Sequence, residues 1–251
     1  MTPAGVSLTC LYLAAGAYAG SVAFFLLKKR RLAGLFFICG FIVHTISQAG
    51  RGWFIGIFTP IGIFEGVFFL PWCLAFLTAV LSFFKKDRDL ILSSIIPVFF
   101  FSLIALFYPN GVFPPSPNMQ TIFSSLFFVF EGLAHACFVL GAWFALGYLH
   151  RREEAWSFDN LIVWGFIFYS IAQVTGALWS YLGWASLFSW NNRHLQSAAI
   201  WCFYAAYVHL RYLSGWDMKR KAAFSLAGFV VVFILSYLGH LTEINMPRLG
   251  G

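Results

Sequence analysis

Eight runs of roughly twenty residues, at about 5–27, 32–50, 64–84, 90–108, 122–148, 161–182, 196–215 and 222–241, carry almost no charge. Each is about as long as a helix must be to cross the hydrocarbon of a bilayer. A chain that spends most of its length in lipid has few choices of backbone, because every N–H and C=O must be satisfied within the spanning structure. Only helices or a closed barrel achieve that, and these runs lack the two-residue alternation of barrel strands. The expected fold is all-α: a polytopic integral membrane bundle of about eight transmembrane helices. The sequence is 61% apolar and 10% charged, which leaves no stretch for a folded soluble domain. Residues 1–251 therefore read as a single transmembrane domain with membrane lipid as its main solvent.

The basic residues set the expected orientation. Lys28, Lys29, Arg30, Arg31, Lys85, Lys86, Arg88, Arg151, Arg152, Arg211, Lys219, Arg220 and Lys221 fall at one set of run ends, against Arg51, Arg193 and Arg248 at the other. Positive charge concentrates on the cytoplasmic side, so this split predicts both termini outside, in a bacterial-type inner membrane. The same clustering accounts for the net charge of +7 without a nucleic-acid partner. Cys10, Cys39, Cys73, Cys137 and Cys202 each sit in an apolar run without a Cys-x-x-Cys, and read as small core residues. No basic segment precedes the first run, which reads as a membrane helix and not a cleaved signal. The topology is testable by single-cysteine labelling. A thiol at Asn192 is expected to react with an impermeant maleimide applied outside, and one at Asp87 only after permeabilisation; the reverse pattern inverts the fold in the membrane.

One stretch carries an unusual density of aromatic and polar groups. It runs Trp179-Ser-Tyr-Leu-Gly-Trp184-Ala-Ser-Leu-Phe188-Ser-Trp190-Asn191-Asn192-Arg193-His194 and continues to Trp201, with His209 eight residues beyond. Tryptophans gather at bilayer interfaces in any case, because an apolar ring bearing an N–H suits the headgroup region. Four of them around an Asn-Asn-Arg-His turn also offer what a flat, amphipathic, iron-bearing ring requires, and haem is the candidate ligand. Ionisable groups at membrane depth are costly and default to functional-site candidates. Counted at about 1.5 Å per residue from the basic inner ends, His44 and His209 lie at similar depths, as the two axial ligands of one haem b would. Phe36, Phe37, Phe41, Phe203 and Tyr204 are the candidate walls for the ring. Arg51 and Arg211 lie toward opposite faces and are candidate partners for its carboxylates. His135 sits mid-run and His240 near the outer end of the last run. Each of these histidines, taken alone, reads first as packing, bonded to a helix carbonyl or a hydroxyl. Glu131 reads as a protonated carboxyl, a proton-relay member or a partner for His135 one turn on.

From Asp159 onward the sequence resembles the cytochrome c assembly proteins of the CcsA type, which handle haem through a tryptophan-rich WWD segment. The residues that carry the resemblance are Asp159-Asn160-Leu, Thr175-Gly-Ala-Leu-Trp179, Trp184, Ser189-Trp190, Trp201, Tyr207-Val-His209-Leu-Arg211, Gly215-Trp216, Lys219-Arg-Lys221 and Tyr237-Leu-Gly239. Earlier, Gly40-Phe-Ile-Val-His44-Thr, Arg51-Gly-Trp53 and Phe64-Glu65 match the same pattern. The resemblance implies an eight-span fold that binds haem between membrane histidines, here His44 and His209. It also implies presentation of the haem at the outward tryptophan segment and delivery to an apocytochrome. The departures matter: Phe188, Asn191, Asn192, Arg193, His194 and Gln196 replace the family's Trp, Asp, Pro, Lys, Glu and Trp. Phe127 and Gly250 stand where two outward histidines are expected, with His194 and His240 as the available substitutes. The outer haem site is thus expected to be degenerate, and any haem-attachment activity to depend on a partner. Two other readings stand beside this one: a b-type cytochrome passing electrons between quinone and an outward c-type cytochrome, and a haem-free structural subunit.

Overall fold

The computed structural model describes residues 3–59, 63–84, 88–107, 117–151 and 155–238, and among these there is no strand. The helices are α1 (Pro3–Leu26), α2 (Arg30–Ile55), α3 (Ile63–Phe84), α4 (Arg88–Ser93), α5 (Ile95–Phe107), α6 (Ile122–Arg151), α7 (Ala155–Trp184), α8 (Asn192–Leu210) and α9 (Met218–Phe233), with a short 3-10 turn at Pro117–Met119. Four of them, α1, α2, α6 and α7, are long and apolar enough to cross a membrane. The all-α membrane bundle is therefore as expected, with helix among the described residues of each apolar run.

Three departures have local causes. The fourth run is broken into α4 and α5, because Pro97 has no N–H to give the Ser93 carbonyl four residues back. The chain tightens there, with Ser94 N donating to Ile91 O at 3.0 Å and Val98 N to Ser94 O at 3.3 Å. The seventh helix stops at Leu210, short of the expected 215, and Arg211 forms its C-cap. The eighth starts early, at Met218, because Asp217 caps it by accepting from Arg220 N at 2.9 Å, while Arg220 Nη1 donates to Gly215 O at 2.7 Å. Beyond Phe233 this helix continues as a π-helical turn, Ile234–Leu238.

The chain divides into two compact units, Met1–Gly132 and Leu133–Gly251. In the first, α1 and α2 form an antiparallel hairpin turned through Lys28, which has a φ of 60°. Hydroxyls tie both ends, as lipid-embedded helices require. Ser7 and Ser47 each donate to the other's carbonyl at 2.9 and 2.6 Å, and Ser21 donates to Ala33 O at 2.6 Å. Ala33, Phe37, Gly40, His44 and Ser47 recur on one buried stripe of α2, the spacing of a helix seam. α3 joins α2 through polar bonds, Trp72 Nε1 to Thr45 Oγ1 at 3.0 Å and Gln48 Nε2 to Phe68 O at 3.2 Å.

In the second unit the core is Ala134, Phe138, Ile162, Tyr169, Ile200, Tyr204, Tyr207 and Val232. At its centre the Phe138 and Tyr204 rings lie parallel, with centroids 3.6 Å apart. Gly165 permits this. A Cβ there would come within 2.6 Å of the Phe138 ring, so only glycine lets α7 approach so closely.

Candidate functional site

His44 occupies the buried stripe of α2, and its surroundings follow from Gly40 one turn earlier. With no side chain at Gly40, the Tyr18 ring of α1 lies against the helix where a Cβ would be 2.9 Å away. Tyr18 then reaches the imidazole edge-on, with ring centroids 6.0 Å apart and Oη 3.4 Å from Nδ1. His44 is completely buried, and its Nε2 has no hydrogen-bond partner. The Phe68 carbonyl, which accepts from Gln48 Nε2 at 3.2 Å, also lies near the ring and has a second lone pair to offer it. A buried polar atom left unbonded costs about 1–3 kcal/mol. In the tautomer that donates Nδ1–H to Tyr18 Oη, Nε2 keeps the lone pair that a metal takes.

His209 is held differently. It lies in the last turn of α8, exposed, with Nδ1 2.7 Å from Ala205 O. A carbonyl only accepts, so Nδ1 carries the proton and Nε2 again has a free lone pair. Two residues on, Arg211 Nε is 2.8 Å from Asp159 Oδ2, and Tyr207 Oη donates to Asp159 Oδ1 at 2.8 Å. The expected carboxylate partner Arg211 is thus ion-paired within its own unit. In the sequence Asp159 stands out only as part of the Asp159-Asn160-Leu motif. Its pairing joins positions 48 residues apart, beyond what local spacing reveals.

The tryptophan segment breaks into a helix end, a loop and a cap. α7 ends at Trp184, and Ala185 follows with a φ of 54°. Trp179 is buried at 8% exposure and meets Trp184 edge-on at 5.6 Å, whereas Trp184 and Trp190 are 60% and 85% exposed. Asn191 caps α8 by accepting from His194 N at 2.9 Å, and its Nδ2 donates to Ser189 Oγ at 2.8 Å. The Ser189 backbone N–H donates to His194 Nδ1 at 3.3 Å, and Ser189 Oγ stands 2.7 Å from the same atom. Nδ1 is therefore an acceptor, and in the neutral ring the proton sits on Nε2. As placed, His194 serves the loop and cap, with the opposite tautomer to His209.

The remaining candidates divide. His135 is buried with Nε2 unpartnered, its ring 5.8 Å from Tyr169 and its Nδ1 3.4 Å from Tyr237 Oη in the π-helical turn. Its Nδ1 thus faces Tyr237 of the same unit. Arg51 is half-buried near the end of α2. His240 and Gly250 lie outside the described residues. The expected aromatic walls are engaged in packing: Phe36 with Phe24, Phe37 with Tyr18, Phe41 with Trp72, Phe203 with Phe224 and Tyr204 with Phe138. Among the described residues no cluster of three or more His, Cys, Asp or Glu is arranged to hold a metal ion.

Comparison with known proteins gives one consistent answer. The family model described as "Cytochrome C assembly protein" matches residues 61–244. A protein named cytochrome c biogenesis protein CcsA from Prochlorococcus marinus strain MIT 9515 is 36% identical over 95 residues, 38% of this chain and 30% of its own length. Its counterpart from strain MIT 9303 is 35% identical over 103 residues, 41% of this chain and 31% of its own. The matched segment thus spans under a third of these relatives. A solved structure named Cytochrome c Heme Lyase CcmF shares the fold, with a TM-score of 0.76 at 15% identity over 95% of this chain and 47% of that one.

Proposed function

The chain belongs to the cytochrome c assembly protein family, and from that premise we propose that it handles haem b in the membrane during cytochrome c maturation. In this reading haem is cargo, held non-covalently with His44 and His209 as axial imidazoles. A separate membrane or outward-facing partner, such as another maturation protein or the c-type cytochrome itself, completes its delivery. The observation that carries the reading is His44, whose Nε2 is fully buried at membrane depth without a hydrogen bond. A buried imidazole nitrogen without a bond is costly, and ligation of an iron is one way to offset that cost. The tautomer at His209, fixed by the Ala205 carbonyl, suits the same chemistry. With Phe127 and Gly250 at the outward positions, the chain alone is not expected to attach haem.

A second reading has an observation of its own. His135 Nε2 is also buried and unpartnered, so the same argument makes it a candidate ligand of a second haem, with His240 as its partner. Haem content separates the two. Pyridine haemochrome analysis of the purified chain is expected to give one acid-extractable haem b per polypeptide; two supports the His135 reading, and none refutes both.

A further inference from the structure

We infer that Asp159 is a positioning residue for His209: one carboxylate grips the residues on either side of the ligand and holds the end of α8 in place. This deepens the haem reading and rests on it. The last turn of a helix has carbonyls without intrahelical partners and is the first part to fray. His209 lies in that turn, since α8 ends at Leu210. Asp159, buried in the second turn of α7, accepts Tyr207 Oη on Oδ1 and Arg211 Nε on Oδ2, both at 2.8 Å.

The geometry leaves the ligand untouched. Tyr207 and Arg211 are four residues apart and share one face of the helix, turned toward α7. His209 lies about 200° around from each, so its ring stands on the opposite, exposed side. The brace fixes the backbone that carries the imidazole without competing for either ring nitrogen. Each charge also suits its helix end, the carboxylate near the start of α7 and the guanidinium at the end of α8. Arg211 belongs to this brace, and a role for it as a carboxylate clamp is not required.

The test compares wild type, Asp159→Asn, Asp159→Ala and Tyr207→Phe in the full-length protein. It reads the low-spin ferric haem signal by electron paramagnetic resonance and amide exchange over 205–213 on the same samples. Asp159→Ala is expected to exchange about tenfold faster across this segment and to convert part of the haem to high spin, with added imidazole restoring the low-spin signal. Asp159→Asn, which keeps an acceptor for Tyr207, should fall between. Tyr207→Phe removes one grip while preserving the packing, and serves if the alanine variant fails to fold. An unchanged low-spin signal in Asp159→Ala or, where that variant does not fold, in Tyr207→Phe would overturn the positioning role even if exchange rises. A wild-type chain lacking low-spin haem overturns the haem reading itself and this inference with it, and the wild-type spectrum identifies that case.

Discussion

Replacing His209 with alanine is expected to abolish the low-spin haem absorbance of the purified protein, and His44→Ala should do the same. The Ala205 carbonyl holds the proton of His209 on Nδ1 and leaves Nε2 its lone pair, and His44 presents the same lone pair in the tautomer that donates Nδ1–H to Tyr18 Oη. Alanine offers no donor in its place. Changes to outer partners of a metal ligand already cost about 10–100-fold in affinity, so loss of the ligand itself should exceed that and leave a five-coordinate or empty site. The His209 ring is exposed and bonds only within its own helix, so its removal should leave the fold intact and the spectral loss interpretable. His135→Ala is the control and should leave this haem unchanged. Absorption spectra with haem-to-protein ratios decide the matter, and two single variants with wild-type spectra would return both residues to packing.

The largest loss of stability is expected from Phe138→Ala. This ring is fully buried, stacked at 3.6 Å on Tyr204 and pressed against Gly165. Helices on both sides close upon it, so the space left by alanine has little means of collapsing. Truncation of a buried phenylalanine costs about 3–5 kcal/mol, a large share of the roughly 5–15 kcal/mol by which a folded protein is ordinarily stable. Denaturant unfolding in detergent should register a drop of that size, with Phe138→Leu much milder. Equal stability of Phe138→Ala and wild type would mean that this stack does not organise the second unit.

The helices were legible because apolar length is a property of contiguous sequence, and lipid leaves the backbone no alternative. Pro97 announced the break between α4 and α5, but a reading by hydropathy alone passes over a proline inside an apolar run. The end of α8 was harder to read: Arg211 reads as an inner-face charge until Asp159, far away in sequence, is seen to hold it. His194 shows how a family pattern can mask a local one. Asn191 at the head of an apolar run is a helix-start signal, whereas resemblance to the WWD segment points to His194 as a ligand. The tautomers of His209 and His194 depend on which backbone group each ring meets, which only the folded chain supplies. Tyr18 was likewise invisible as a partner of His44, since its approach depends on the absence of a side chain at Gly40.

The most direct test of the central claim is low-temperature electron paramagnetic resonance of the oxidised, purified wild-type protein. The account predicts a low-spin ferric signal of the bis-imidazole type from non-covalently bound haem b. A purified, folded protein that shows no haem, or only a high-spin signal, would contradict it.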